Sequence, residues 1–204
     1  STAASAAAAA GAISPARPKG GSAAQELLMT DALDDLGLFY VHFRHFDDAQ
    51  RRLQESLDIR LRVVGDGHPT VAYSYSNLGV LAYAKKDFKG GVTALTMAID
   101  VFRRAAPTET TMAVADASTT LGYCHQGLGD LDAAVAAHNT ALQIRCKMGD
   151  AADLLAAESQ HNLCKVRLAM AAAADAANEA ARAADLRRAA SVDLDAAQAI
   201  ADKY

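Results

Sequence analysis

Residues 78–103, LGVLAYAKKDFKGGVTALTMAIDVFR, contain a pattern that the chain uses four times. The leucine that opens this pattern corresponds to Leu36, Leu121 and Leu163, so that the four leucines lie 42, 43 and 42 residues apart. The residues that follow the four leucines are small: Gly37, Gly79, Gly122 and Cys164. A period in this range predicts stacked helical hairpins.

Other positions of the pattern recur with the same period. The residues ten positions after the leucines are Phe46, Phe88, Leu131 and Ala173, and we predict that each begins the second helix of its repeat. Three positions further on are the small residues Ala49, Gly91, Ala134 and Ala176. Two helices that cross closely need small and apolar contacts at such spacings. We therefore predict an all-α chain in which each repeat is one hairpin, and expect less apolar area in the alanine-rich fourth repeat.

The chain resembles the tetratricopeptide repeat family, in the longer variant found in kinesin light chains. The resemblance covers roughly residues 25–188 and rests on residues 67–72 (GHPTVA), 77–79 (NLG) and 141–145 (ALQIR). The His-Pro element occurs once, and residues 106–108 (APT) and 149–150 (GD) stand in its place elsewhere. The resemblance implies a right-handed α-solenoid of about four tetratricopeptide-type helical hairpins with a C-terminal capping helix.

Residues that typically begin or end helices predict the limits of the repeats. Residues 1–21 are almost entirely Ala, Ser, Gly and Pro, which predicts a disordered tail, with a targeting segment as the alternative. Ser22 and Gln25 form a capping box, and Pro69 suits the first turn of a helix. The predicted array covers residues 22–190, divided at about 22–65, 66–106, 107–149 and 150–190. Ser191 is a possible N-cap, so residues 191–204 are predicted as the capping helix.

Composition narrows the classes of function. The formal net charge is −4 with acidic and basic residues interspersed, which argues against nucleic-acid binding. The three cysteines, Cys124, Cys146 and Cys164, form no CxxC pair, which favours a reducing compartment. Apart from weakly hydrophobic alanine tracts, no uninterrupted run of 18 apolar residues occurs, so membrane insertion is not expected. We expect a cytoplasmic protein, with a cytoskeletal or ciliary location as an alternative.

The family resemblance implies that the first helix of each hairpin lines a concave wall. The residues predicted to bind a partner there are Asp35, Leu38 and His42; Tyr73, Asn77 and Val80; Asp116, Thr120 and Tyr123; and Glu158, Asn162 and Lys165. Asn77 and Asn162 match an asparagine that family members often use to bind a peptide backbone, since an amide both donates and accepts. Linking adjacent helices is the alternative role. Carboxylates dominate this wall, which favours a basic or neutral ligand.

Other motifs are weak. Basic pairs recur near the ends of the predicted second helices, where they complement the helix dipole and could form a ridge for an acidic partner: Arg60 and Arg62, Arg103 and Arg104, Arg145 and Lys147, and Arg187 and Arg188. Cys124 and His125 are adjacent on a helix and do not face each other, so Cys124 is predicted to pack as a small hydrophobe. His42 and His45 are predicted to be a surface pair, because no further ligand accompanies them.

No Walker loop, GxGxxG, GxSxG or HExxH motif is present, and neither a metal nor a cofactor is expected. The sequence therefore predicts a non-enzymatic scaffold or adaptor that binds a peptide or helix of a protein partner in its concave groove. The alternative is a constitutive structural subunit of a cytoskeletal assembly, microtubule-based or ciliary.

Overall fold

The computed structural model describes residues 22–106 and 111–203, and this part of the chain folds into helical hairpins. The hairpins are α1 (Ala23–His42) with α2 (Phe46–Val64), α3 (Pro69–Ala84) with α4 (Phe88–Ala105), α5 (Met112–Leu128) with α6 (Leu131–Lys147), and α7 (Asp153–Ala176) with α8 (Ala180–Ala201). Each helix packs against the next, and α3 also contacts α1 and α5. The predicted all-α solenoid of four hairpins is confirmed. The predictions for residues 1–21 and for the start of the third unit at residue 107 lie outside the described residues.

Four of the eight α-helices in the described residues begin at a side-chain cap or a proline. Ser22 and Gln25 form the predicted capping box, with Oγ of Ser22 3.3 Å from the amide nitrogen of Gln25. α3 begins at Pro69, whose missing N–H is harmless in a first turn. Asp87 caps α4 by accepting from the amide of Gly90 at 3.0 Å, and Asp130 caps α6 by accepting from the amide of Ala133 at 3.2 Å.

Each hairpin turns on one residue in the left-handed region of the backbone. These residues are Arg44, Lys86, Gly129 and Asn178, with φ of 62°, 62°, 78° and 64°. The first three are followed two residues later by Phe46, Phe88 and Leu131, which begin α2, α4 and α6 as the repeat pattern predicts. A left-handed residue ends one helix abruptly, so the next helix can fold back against it.

The small residue after each of the first three leucines lets the two helices of a hairpin cross closely. A Cβ added to Gly37 would lie 2.5 Å from Leu53, one added to Gly79 would lie 2.5 Å from Leu95, and one added to Gly122 would lie 2.6 Å from His138. All three glycines stand seven residues before the left-handed turn residue of their hairpin. The crossing therefore requires glycine because a buried side chain of the second helix already fills the space.

The fourth hairpin is longer than the sequence period predicts. Its turn residue, Asn178, follows Gly129 by 49 positions, whereas the earlier turn residues lie 42 and 43 apart. Ala173, which we predicted to lie at the start of a second helix, is inside α7. The cause is the run AMAAAADA at 169–176, which offers good helix formers and no breaking residue. Seven residues are close to two helical turns, so the extension keeps the same face of α7 against α8.

The extension moves the packing positions of α8. Counted from the turn, Ala183 corresponds to Ala134 and Ala190 to Ala141, and all four are buried. Ala176, which the sequence period aligned with Ala134, is exposed. The separate capping helix predicted from Ser191 is instead the continuation of α8, because no residue between 180 and 201 breaks the helix. The comparison of Ala173 with Phe88 therefore does not describe the core of this hairpin.

We expect Gly79→Ala to lower the free energy of unfolding by about 1–3 kcal/mol, because the added methyl group collides with fully buried Leu95. Alanine's better helix propensity, about 1 kcal/mol, offsets part of this cost. Urea denaturation measures the difference. The matched control is Gly67→Ala, which meets no atom within 4 Å and should change stability little. Equal stability of the two variants would contradict the close crossing.

His138 should make the protein acid-sensitive. Burial, together with the positive charge of Arg145, lowers the pKa of His138 to about 4. Below pH 6.5 the imidazole of His138 is protonated in the unfolded chain but stays neutral in the folded chain. The free energy of unfolding therefore has its full value above pH 6.5 and decreases as the pH falls towards 4. The loss at pH 4 amounts to about 3 kcal/mol. His138→Leu should remove this part of the pH dependence in denaturation curves. His161→Asn, at an exposed position, should leave it unchanged.

Candidate functional site

Five of the twelve predicted site residues line one cavity between α3 and α5. They are Tyr73, Asn77, Val80, Asp116 and Thr120, and Ser76, Leu95, Ala113 and Ala117 complete the lining. The cavity has a volume of about 210 Å³ and is open to solvent. It combines an aromatic ring, an amide, a hydroxyl and a carboxylate above an apolar floor. Such a lining can hold a side chain and also offer hydrogen bonds to a backbone.

Tyr73 is positioned by an edge-to-face contact with Phe102 of α4, whose ring centroid lies 5.0 Å away at an interplanar angle of 80°. Phe102 is buried, whereas Tyr73 keeps about half of its surface exposed. This arrangement fixes the ring plane of Tyr73 while leaving one side of the ring available. Asn77 stands one helical turn along α3 from Tyr73, and within the described residues its side chain makes no hydrogen bond.

A buried arginine joins the first and second hairpins beside this wall. Arg60 of α2, 3% exposed, donates to the carboxylates of Asp34 at 2.5 Å and Asp31 at 2.8 Å. It also donates to the hydroxyl groups of Thr30 at 3.0 Å and Ser74 at 2.7 Å. Because Ser74 belongs to α3, one guanidinium fastens α1, α2 and α3 together. A planar, always charged group with five donors suits this role.

Arg145 of α6 joins the third and fourth hairpins in the same way. It donates to Asp116 of α5 at 2.9 Å, to Ser159 of α7 at 2.7 Å and to the carbonyl of Leu155 at 3.0 Å. Glu158 lies 3.8 Å from the same guanidinium. Asp116 and Glu158 are therefore tied to the scaffold and still present carboxylate surface to solvent.

Sequence reasoning missed this buried role, although a signal for it exists at twice the repeat length. Asp31 and Asp116, Arg60 and Arg145, and Ser74 and Ser159 are three pairs whose members lie 85 residues apart. The corresponding positions of the middle repeat hold Tyr73, Phe102 and Ala117, which carry no charge, and Tyr73 contacts Phe102 within the second hairpin. An arginine near the end of a helix also complements the helix dipole, and the sequence analysis explained these arginines in that way.

A hydrogen bond between Tyr123 and Asn162 links α5 to α7. Nδ2 of Asn162 donates to the Tyr123 hydroxyl at 2.8 Å, and the hydroxyl lies 3.5 Å from Oε1 of Glu158. Tyr123 also stacks on Tyr83 of α3 with centroids 5.7 Å apart. Burial raises the pKa of Tyr123, and Glu158 adds to this rise while the bond from Asn162 opposes it. Asn162 is buried, so it has the helix-linking role that the sequence left open.

The remaining predicted residues lie at the two ends of the wall. Asp35 and His42 are exposed on α1, where Leu38 is half-buried, and Lys165 is exposed on α7. None of these lines the α3–α5 cavity. They extend the surface along which a longer ligand could lie, and Asp35 adds a carboxylate without an ion pair among the described residues.

The predicted basic ridge is not formed as expected. Arg60 and Arg145 are buried, Arg62 pairs with Glu26 at 2.6 Å, Arg187 pairs with Asp175, and Arg188 pairs with Asp185. Arg103, Arg104 and Lys147 remain exposed without a carboxylate partner in the described part of the chain. An acidic partner would therefore meet one arginine pair and a separate lysine, not a continuous row.

The described residues hold no group of three metal-ligating side chains, and none of their helices has the length and apolarity to cross a membrane. Cys124 is fully buried in the core that α3, α4, α5 and α6 share. Burial, with a smaller effect from Asp87, raises the pKa of its thiol to about 11. The thiol is therefore protonated at neutral pH, as a packing role requires.

Comparison with known proteins agrees with this architecture. Residues 28–104 match the tetratricopeptide repeat family model. The structure is similar to BtubC (BKLC) from P. vanneervenii, with a TM-score of 0.69 and 20% identity over 91% of this chain and 68% of that one. It is also similar to a proposed kinesin light chain with nearly identical TPR-like repeats from Podosopora anserina, with a TM-score of 0.57 and 16% identity. That likeness covers 87% of this chain and 97% of the other. No curated protein matches the sequence.

We expect Arg60→Met to cost about 3–5 kcal/mol of stability, because it leaves the buried carboxylate of Asp34 without a counter-ion. The double variant Arg60→Met with Asp34→Leu should recover most of this loss, since it removes both charges. Arg103→Met, at an exposed position, is the control and should change stability by less than about 0.5 kcal/mol. Urea denaturation of the four proteins measures these differences. A single Arg60 variant as stable as the control would contradict the role of the buried pair.

Proposed function

We propose that this chain, a tetratricopeptide repeat protein, is a non-enzymatic scaffold that receives a peptide segment of a protein partner in its concave groove. Repeats of this family are generally protein–protein interaction scaffolds. The α3–α5 cavity is the centre of the proposed groove, and the exposed residues of α1 and α7 extend it. The observation that carries the proposal is the meeting of five predicted residues in that one cavity.

The cavity suits an extended peptide for two reasons. The Asn77 amide can donate to a backbone carbonyl and accept from a backbone N–H at once. Tyr73 is held by Phe102 and offers an exposed ring to an apolar ligand side chain. A rigid aromatic anchor loses little conformational entropy on binding, which is why tyrosine is frequent at interface hot spots.

Charge favours a basic or neutral segment. Each buried arginine serves two carboxylates, Asp31 with Asp34 and Asp116 with Glu158, so the wall keeps negative charge after pairing. Asp35 adds to it, and Lys165 opposes it at the far end. A ligand with Lys or Arg near its middle would meet Asp116 beside the cavity. Such contacts at a solvated surface weaken as salt increases.

The alternative is a constitutive subunit of a cytoskeletal assembly. It is supported only by the likeness of the fold to a proposed kinesin light chain at 16% identity. An exposed, partly polar cavity with an unpaired amide is more typical of a surface that binds exchangeable segments. We therefore propose peptide binding as the main function and the structural subunit role as the alternative.

A random 12-residue peptide library displayed on phage tests the proposal. We expect selection on the immobilised chain to enrich neutral or basic peptides with an apolar residue near the centre. For an enriched peptide, Asn77→Ala should weaken binding about tenfold, which corresponds to the loss of one or two hydrogen bonds. Fluorescence anisotropy at two salt concentrations measures the affinity and its electrostatic part.

The matched control is Asn139→Ala, which makes the same chemical change on α6, away from the first helices. It should leave the affinity unchanged. Enriched peptides that bind Asn77→Ala as tightly as the unaltered chain would contradict the proposed cavity. Enrichment of acidic peptides that depend on Arg103 and Arg104 would instead place binding at the second helices.

A further inference from the structure

One position of the repeat is exposed in the first hairpin and buried in the other three. Phe39, Leu81, Cys124 and Val166 are related by the 42- or 43-residue period. Phe39 is 56% exposed, whereas Leu81, Cys124 and Val166 are 1%, 0% and 1% exposed. In the inner repeats the preceding hairpin covers this position. Leu81 packs with Ala49 and Leu53 of α2, and a Cβ added to Gly91 of α4 would lie 2.6 Å from Sγ of Cys124.

A second position shows the same contrast. Met29 is exposed on α1, and its counterparts Val71, Val114 and Ala156 are buried. Leu36 is likewise exposed, while its counterpart Leu163 is fully buried. The first hairpin therefore keeps apolar side chains at the stacking positions. Among the described residues nothing lies over them.

The exposed side chains form a continuous stripe along α1. They are Leu28, Met29, Leu36, Phe39 and Phe43, which helical periodicity places within about 100° of one another. The rings of Phe39 and Phe43 contact each other with centroids 4.6 Å apart. A stripe of this width is typical of a helix face that packs against another helix. We call it the α1 stripe.

We propose that the α1 stripe binds the α1 stripe of a second copy of this chain, with the two helices antiparallel around a two-fold axis near Leu36. A polar contact on one flank supports this orientation. Asp31 and His42 lie on the same flank of the stripe at opposite ends. An antiparallel pair brings Asp31 of each copy next to His42 of its partner, whereas a parallel pair places this flank of the two copies on opposite sides and makes no such contact.

The other end of the array favours a closed pair over a filament. Charged residues alternate with apolar ones along α8, with Asp185, Arg187 and Arg188 in its first half and Asp195 beyond Leu194. Stacking the α1 stripe onto α8 of another copy would bury several of these charges. Such head-to-tail stacking could continue from copy to copy into a filament, whereas the two-fold pair uses the α1 stripe of both copies and stops at a dimer.

The buried area predicts a moderate affinity. The five side chains of the stripe expose on the order of 500 Å² in one copy, so the pair would bury on the order of 1,000 Å². Flanking polar residues bring the total towards the lower end of the range for specific interfaces. We therefore expect a dimer that forms and dissociates in the micromolar range.

Sedimentation velocity of the full chain from about 1 to about 200 µM tests the proposal, because this range brackets a micromolar dissociation constant. We expect monomer and dimer in concentration-dependent exchange. Phe39→Ser should raise the dissociation constant by about tenfold or more. The control Val192→Ser removes an apolar side chain of α8 that is even more exposed than Phe39, and it should leave the constant unchanged. Circular dichroism checks that both variants keep their helices.

Cysteine cross-linking tests the two-fold geometry. In a Cys146→Ser background, Leu36→Cys should form an intermolecular disulfide on mild oxidation, and Val192→Cys should not. A chain that stays monomeric throughout the range, or a dimer that Phe39→Ser does not weaken, would overturn the proposal. A monomer in which Met29 and Phe39 are shielded from hydroxyl radicals would assign the stripe to other residues of the same chain, which also overturns it.

Discussion

The structure depends on one steric constraint, the close crossing of the two helices in each hairpin. In the first three hairpins a glycine seven residues before the turn meets a buried side chain of the second helix: Leu53, Leu95 or His138. In the fourth, Ala171 stands at the same distance from Asn178 and is buried. Because a closely packed interior cannot absorb an extra methyl group, the small residue fixes how the helices of a hairpin lie together. The first helices can then line up as a wall.

The junctions between hairpins vary more than the hairpins themselves. Arg60 and Arg145 join the outer pairs of hairpins through ion pairs and hydroxyl groups. The middle pair is joined instead by an apolar core that contains Phe102 of α4 and Val114 of α5, and by the stacking of Tyr83 on Tyr123. Buried ion pairs contribute little net stability but demand one geometry. The middle junction places no such demand on neighbouring polar side chains, and Asn77 of α3 and Thr120 of α5 line the cavity beside it.

The sequence allowed much of this to be predicted, since the signals for hairpins are local. Ser22, Pro69 and the first residues of α2, α4 and α6 were identified from capping chemistry and period. The length of the fourth hairpin was not, because an alanine run contains nothing that ends a helix, and only Asn178 marks the turn. In the candidate site, the meeting of Tyr73 with Asp116 followed from the period. The burial of Asn162 and Arg145 did not, because exposure depends on how neighbouring hairpins stack.

The lengthened fourth hairpin shows how such an array can change size. Its seven added residues in α7 return the chain to almost the same angular position, so Ala183 and Ala190 meet α7 as Ala134 and Ala141 meet α5. An insertion of three or four residues would rotate the following part of the helix away from its packing direction. Seven residues added to each helix of the hairpin keep the same two faces in contact. Two added turns are therefore a change of length that the packing of this terminal hairpin accommodates.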